Sequence, residues 1–479
     1  MNRRWWVGAS VAAVLAAAGV LVMPASSAAQ VGSSRGKLSD GAAYRIDIPY
    51  KYNGTVLVYS HGLVPPGQPD QPELAPDETT ATALLARGYA LAGTAYGSGY
   101  AVEAAVREQT ELAGIARLGL GGTSRVVAWG SSQGGLISLA LAERAASGFD
   151  GALSACGIDA GTVGLWDTYL DTMFVIKTLI APDLTLVHDR DPAGTQDRLL
   201  AALNQAQKTP QGRARIALAA AMTGMPGWSG AGTPRPDAGD DGAAESAQLS
   251  YLTDLVGTMM TLGRADVEQH AGGNPSSNTR IDYAKQLKWS IDRDEVRRLY
   301  AAAGLDLTAD LHRLAKAPRV HADSSARRYA NRFATPSGRL HGRPVVTLHD
   351  TGDGAVAPEH EDAYRRAVTR SGNGTLLQQF FVDRAGHCTF TPAELVTAVD
   401  VLDQRLRSGR PEPVSTSELV SRAAKLGPDL NGVRIDGQFI PVAPGFVDRS
   451  AGVFLRDVSS HPGMHRSAVP TGDRRARVQ

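Results

Sequence analysis

RVVAWGSSQGGLISLALAERAAS, residues 125–147, decides how the rest of the chain is read. Residues 125–129, RVVAW, form a short stretch rich in β-branched and apolar residues and read as a buried strand. GGLISLALAERAAS, residues 134–147, carries an apolar stripe on good helix formers behind two glycines that permit tight packing. The junction between them spells Gly-x-Ser-x-Gly with Ser132 at its centre. A serine on a sharp strand-to-helix turn has its hydroxyl lifted clear of the backbone, where it can meet a substrate. The same pattern recurs as Gly-Ser-Ser-Arg-Gly at residues 32–36, in a chain that holds 52 glycines. Ser34 there has no strand before it and no helix after it, so that segment reads as the mobile start of a processed chain. Ser132 is the candidate nucleophile.

Working outward, strands and helices alternate. AYRIDIPYKYNGTVLVYSHGL holds two strand-like runs around Asn53-Gly54, a hairpin signal. ATALLARGY has helical spacing, YALAGTAYG returns to strand, EAAVREQTELAGIARLG is helical, and GALSACG, residues 151–157, follows the central unit as a further strand. This alternation predicts an α/β fold, a mostly parallel sheet with helices on both faces. From about residue 163 to residue 340 the pattern becomes helical, with segments such as TQDRLLAALNQAQ separated by loops such as GWSGAGTPRPDAGDDGAAES. Strand patterns resume in RPVVTLHD and LLQQFFVDRAGH. The expected organisation is therefore a core at 40–162, a helical cap insertion at 163–340, a second part of the core at 341–410, a C-terminal appendage at 411–458 and a polar, disordered tail at 459–479.

The chain has 479 residues, 43% of them hydrophobic, and a formal net charge of +1. That is apolar enough for a sizeable core, and the charge balance points to neither nucleic acid nor anionic membrane as a partner. Residues 1–29 have the layout of a secretory signal: Arg3 and Arg4, an apolar run to Met23, then Pro24 and small residues. The run is long enough to span a bilayer if uncleaved, and no other stretch is. The expected product is an exported protein without a stable membrane span. Its two cysteines, Cys156 and Cys388, are an even pair, which in an exported chain suggests one disulfide.

A serine hydroxyl needs a base to remove its proton and usually a carboxylate to orient that base. Of eleven histidines, His387 stands in RAGHCTF directly after a strand. His61, in YSHGL, sits after an early strand and is better placed beside an oxyanion site; His188, His270 and His312 fall in the cap, and His461 and His465 in the tail. VVTLHDTGDGAVAP offers two acids. Asp353 lies in a glycine-flanked loop able to turn its carboxylate toward His387, and Asp350 is its rival. Asp383 fits a turn or a surface pair better. The candidate set, Ser132, Asp353 and His387 in that order along the chain, requires no metal or other cofactor.

On these residues the chain resembles the secreted serine α/β-hydrolases. YSHGL is similar to their His-Gly oxyanion loop, GSSQGG to their nucleophile elbow, HDTGDGAVAP to their acid loop and AGHC to their histidine loop, over roughly residues 42–160 and 340–408. Two departures stand out: Asp350 replaces the usual glycine of the acid loop, and Ala357 is inserted before Pro358. The resemblance implies the α/β-hydrolase fold and an oxyanion hole made by the backbone N–H groups of Leu63 and Gln133. The His-Cys pair is also similar to tannases and feruloyl esterases, where a disulfide ties that loop to a cysteine just before the serine. Ser131 occupies that position here, so a bridge from Cys156 to Cys388 is the expected substitute, the alternative being two buried free thiols.

The reaction that the resemblance implies is hydrolysis of a small-molecule carboxylic ester through an acyl-enzyme on Ser132. A serine peptidase of aminopeptidase type, an acyltransferase and a noncatalytic binding protein on the same fold are the alternatives. Dehalogenase and epoxide hydrolase chemistry would put an aspartate where Ser132 stands. Met173, Phe174, Met259 and Met260 could line an acyl pocket, or simply fill the core.

Overall fold

The computed structural model describes residues 31–456 apart from Thr335, Glu412 and Asp436. The signal-like residues 1–29 and the tail 459–479 lie outside the described residues. The chain builds β1 (Val31–Lys37), β2 (Ala43–Pro49), β3 (Thr55–Ser60), α1 (Glu78–Ala86), β4 (Ala90–Thr94), α2 (Val102–Gly119), β5 (Arg125–Ser131), α3 (Gln133–Ala142) and β6 (Gly151–Ala155). A run of helices opens with α4 (Gly161–Leu179) and closes with Ser324–Ala334, after which β7 (Val345–Gly352) and β8 (Leu377–Ala385) return to the sheet. The C-terminal part adds a two-stranded sheet of β9 (Gly432–Ile435) and β10 (Gln438–Pro441), and a short β11 (Phe446–Val447).

One sheet of nine strands runs in the order β1-β2-β4-β3-β5-β6-β7-β8-β11. Pairings between β4 and β8 are parallel; β1, β2 and β11 join antiparallel at the two edges. This is the α/β-hydrolase fold, with β5 in the middle of the sheet and α3 directly behind it. The central strands β3, β4 and β7 are buried at every position, as strands covered on both faces must be.

Two expectations are corrected. The runs around Asn53-Gly54 do not form a hairpin. β2 pairs with β4, and β3 lies between β4 and β5. TVLVYS is buried at all six positions, so it needs a strand on each side and cannot serve as one arm of an edge hairpin. Nor is the segment around Ser34 a mobile end. It is β1, registered residue for residue on β2, with Ser34 opposite Ile46. Its small and polar residues carry no alternation to read, and the open edge of β2 supplies the backbone partners instead. β2, β4 and β3 lie between it and β5.

The helices between β6 and β7 share one continuous apolar cluster with a face of the sheet. Met222, Leu252 and Val256 belong to the same cluster as Val56, Val58 and Ile137. Met173, Phe174 and Met260 are buried within it, and Met259 packs against it. No helix among the described residues is long and apolar enough to cross a membrane.

One buried group makes stability depend on pH. Glu359 is 3% exposed, and neither of its carboxyl oxygens has a hydrogen-bond partner among the described residues. Burial pushes its carboxyl up to about 7, and the charges of Arg449 and His349 offset this only in part. In the unfolded chain the group ionises in the ordinary range near 4. Stability is therefore lost as pH rises from about 4 through about 7. Glu359→Gln is expected to melt above the wild type at about pH 8, with the gain shrinking toward about pH 4, as measured by thermal denaturation across pH. Equal melting temperatures at alkaline pH would contradict this.

Candidate active site

Ser132 sits between β5 and α3 with φ 58° and ψ −120°, a backbone conformation that a non-glycine residue holds only when its surroundings force it. The surroundings do so through close packing. A Cβ on Gly130 would stand 2.5 Å from Ser60 O and from the Gly134 carbonyl, and one on Gly134 would overlap Ser60 O. Both pattern glycines are thus required by the approach of β3 to the turn. The Ser132 N–H donates to Ala155 O at 3.0 Å, and its own carbonyl accepts from Gly135 N at 3.0 Å, which anchors the turn to β6 and to the first turn of α3.

The histidine and the acid converge on this turn. Nε2 of His387 lies 2.8 Å from Ser132 Oγ, and Nδ1 lies 2.7 Å from Oδ2 of Asp353. A carboxylate can only accept, so Nδ1 carries the proton and Nε2 is left free to accept from the serine hydroxyl. Oδ1 of the fully buried Asp353 accepts the backbone N–H groups of Ala355 and Val356 at 2.9 and 3.0 Å. Ser132 and His387 remain partly exposed.

The rival acids are elsewhere. Asp350 is buried and accepts the backbone N–H of Thr389 at 2.9 Å. Burial, reinforced by the Asp353 charge, pushes its carboxyl well above the usual range. Asp383 is a surface partner of Thr351 and Arg235. His61 is stacked on Tyr96 at 4.0 Å, with Nδ1 2.7 Å from Gly62 O and Nε2 3.2 Å from Asp70 Oδ1.

Next to His61 the chain passes beside Ser132: a Cβ on Gly62 would be 3.6 Å from Ser132 Cβ. Neither the Leu63 nor the Gln133 backbone N–H donates to a protein acceptor among the described residues. The Gln133 side chain is turned away, donating to Gly99 O at 3.1 Å.

Cys156 and Cys388 are disulfide-bonded, with Cα atoms 5.3 Å apart and 232 residues between them in the chain. The bridge joins the end of β6 to the residue after His387. Breaking it with Cys156→Ala/Cys388→Ala is expected to lower the melting temperature by several degrees and to reduce activity, because it frees a long loop in the unfolded chain and the histidine loop in the folded one. A variant with unchanged melting and turnover would show that the bridge holds nothing in place.

A second histidine, which sequence reasoning passed over, lies behind the acid. His349 Nε2 donates to Val356 O at 2.8 Å and stands 3.6 Å from Asp353 Oδ2, while Nδ1 is 3.3 Å from Glu361 Oε1. Burial works against its charged form, but the hydrogen bond to Glu361 and the charges of Glu361, Asp353 and Asp159 push it up to about 10. The signal was the spacing His349-x-x-x-Asp353 at the end of a wholly buried strand. Asp159, His349 and Glu361 bring donor atoms within 4.8 Å of one another, a grouping able to hold a metal ion. Part of this group is engaged within the protein, since Thr347 Oγ1 donates to Glu361 Oε2 at 2.6 Å and Ser154 Oγ to Asp159 Oδ1 at 2.7 Å, while Asp159 Oδ2 has no hydrogen-bond partner among the described residues.

No family model matches the chain. It is 29% identical over 444 residues to the o-phthalyl amidase of Xanthobacter agilis, covering 85% of this chain and 94% of that protein. Among solved structures it is similar to an esterase from Aspergillus oryzae, with 12% identity, 79% of this chain and 80% of that one covered and a TM-score of 0.42. It is also similar to brefeldin A esterase, described as a bacterial homologue of human hormone sensitive lipase, with 14% identity, 86% and 81% coverage and a TM-score of 0.36. The strand order β1-β2-β4-β3-β5-β6-β7-β8 is that of the α/β-hydrolase fold.

Proposed function

We propose that this chain hydrolyses carboxylic esters and amides of small molecules through an acyl-enzyme on Ser132. The observation that carries the proposal is the hydrogen-bonded line from Ser132 through His387 to Asp353, with separations of 2.8 and 2.7 Å. In this reading His387 takes the hydroxyl proton as Ser132 attacks the acyl carbon, and Asp353 holds the imidazole and stabilises its charged form. The free N–H groups of Leu63 and Gln133 receive the oxygen that gains negative charge. His387 then gives its proton to the departing alcohol or amine, and water releases the acyl group by the reverse path. An amine leaves only when protonated, so the placement of Nε2 matters more for amides than for esters. The similarity to an o-phthalyl amidase along nearly its whole length favours including amides.

Export belongs to the same proposal. It is supported by the signal-like residues 1–29 and by the disulfide, which persists in oxidising compartments.

The test compares wild type with Ser132→Ala on p-nitrophenyl esters of several chain lengths and on acyl p-nitroanilides. Turnover should fall on the order of 10⁴-fold or more in the variant. Activity that survives the substitution would refute the assignment of the nucleophile.

The acid is tested by a matched pair. Asp353→Asn should lower kcat by about 10⁴-fold, because the amide favours the wrong imidazole tautomer. Asp350→Asn should stay within about tenfold of wild type, since Asp350 stands outside the hydrogen-bonded line from Ser132 to Asp353 and accepts the Thr389 N–H, which the amide oxygen of Asn can also accept. The reverse ranking would make Asp350 the acid.

A further inference from the structure

The helical insertion reaches the catalytic loops through one side chain. Tyr251, on the helix Asp241–Thr253, is buried, and its hydroxyl lies between the two loops that follow β7 and β8. It donates to Gly352 O at 2.5 Å and accepts the backbone N–H of Gly386 at 3.1 Å. Gly352 directly precedes Asp353, and Gly386 directly precedes His387. The hydroxyl therefore holds the peptide group next to the acid and the peptide group next to the base at once.

The ring is as closely placed as the hydroxyl, since a Cβ on Gly354 would overlap it. The residue on the far side of Asp353 is thus fitted to Tyr251 as well. Two further insertion residues grip the same strand ends. Trp228 packs where a Cβ on Gly352 would stand 2.9 Å from its ring, and Arg235 lies over Trp228 at 4.4 Å while donating to Thr351 Oγ1 at 2.9 Å. The ladder between β7 and β8 is irregular between Asp350 and Gly352, so the sheet alone does not set the relative position of the two loops.

We propose that Tyr251 is a positioning residue for the hydrolytic reaction: its hydroxyl fixes the loop of Asp353 against the loop of His387, so that the insertion completes the catalytic framework. This rests on the triad reading given above. A hydroxyl that contacts backbone on both loops acts on the reacting groups through their geometry and not through substrate contact. Its loss should therefore lower kcat and leave KM in place.

The test uses the full chain and Tyr251→Phe, which keeps the ring on Gly354 and removes the hydroxyl, with its bridge between the loops and its 3.2 Å hydrogen bond to Trp228 O. With p-nitrophenyl acetate, kcat is expected to fall about ten- to a hundredfold, with KM within about twofold of wild type. The downfield proton NMR resonance of the hydrogen bond between His387 and Asp353 should shift or broaden in the variant. A purely structural role would lower the melting temperature and leave that resonance and the kcat of the folded fraction unchanged, and this result would overturn the proposal. Gly354→Ala is the second variant: the added methyl displaces a retained Tyr251, and the same loss of kcat at constant KM is expected even if Y251F fails to accumulate as folded protein. Labelling by a fluorophosphonate separates loss of the nucleophile from loss of the bridge. A wild type unlabelled at Ser132 removes the triad reading and this proposal together. A labelled wild type whose Y251F form keeps its kcat and its downfield resonance overturns the role of Tyr251 alone.

Discussion

Ser132 is held at φ 58° and ψ −120°, and the arrangement of the sheet's carboxyl edge depends on keeping it there. Such a backbone conformation costs of order 1–3 kcal/mol, which the surrounding structure must overcome. It does so with β5 and α3 buried on either side and with Gly130 and Gly134 allowing β3 to close on the turn. The same hydrogen bond that fixes the serine starts a short path to the other groups. Ser132 donates to Ala155; the next residue, Cys156, is bonded to Cys388 beside His387 and donates its N–H to Leu348 O on β7, the strand that leads to Asp353. Ser132, His387 and Asp353 are thereby tied through the end of β6.

This explains how groups 221 residues apart in the chain, Ser132 and Asp353, can share one line of hydrogen bonds. Parallel strands end on one edge, so loops distant in sequence meet there, and acyl chemistry needs only that three of them carry the right side chains. The insertion adds a second constraint from outside the sheet. Its helices merge with the core's apolar cluster, so Tyr251, Trp228 and Arg235 are presented from a packed element and not from a loose cover.

Much of this was legible in the residues. The passage from RVVAWG to GGLISLALA announces strand, turn and helix, because both flanks have strong and different patterns, and His387 and Asp353 follow strands that are equally distinct. What was hidden is what depends on pairing. β1 is a strand because β2 has an open edge, and its own residues, VGSSRGK, carry no period. The crossing of β2 and β3 turned on where β4 would insert, which an Asn-Gly pair does not encode. Tyr251 was invisible for a related reason: a tyrosine on a helix looks like core until the carbonyl it meets, 101 residues away, is known. His349 was overlooked because a histidine inside a buried strand resembles a satisfied core residue.

The most direct measurement is rapid-quench mass spectrometry of the intact protein during turnover of a slow ester or amide, followed by peptide mapping. A transient acyl adduct is expected on the peptide containing Ser132, formed and discharged at rates that match turnover. Turnover without any adduct, or an adduct on another residue, would contradict it.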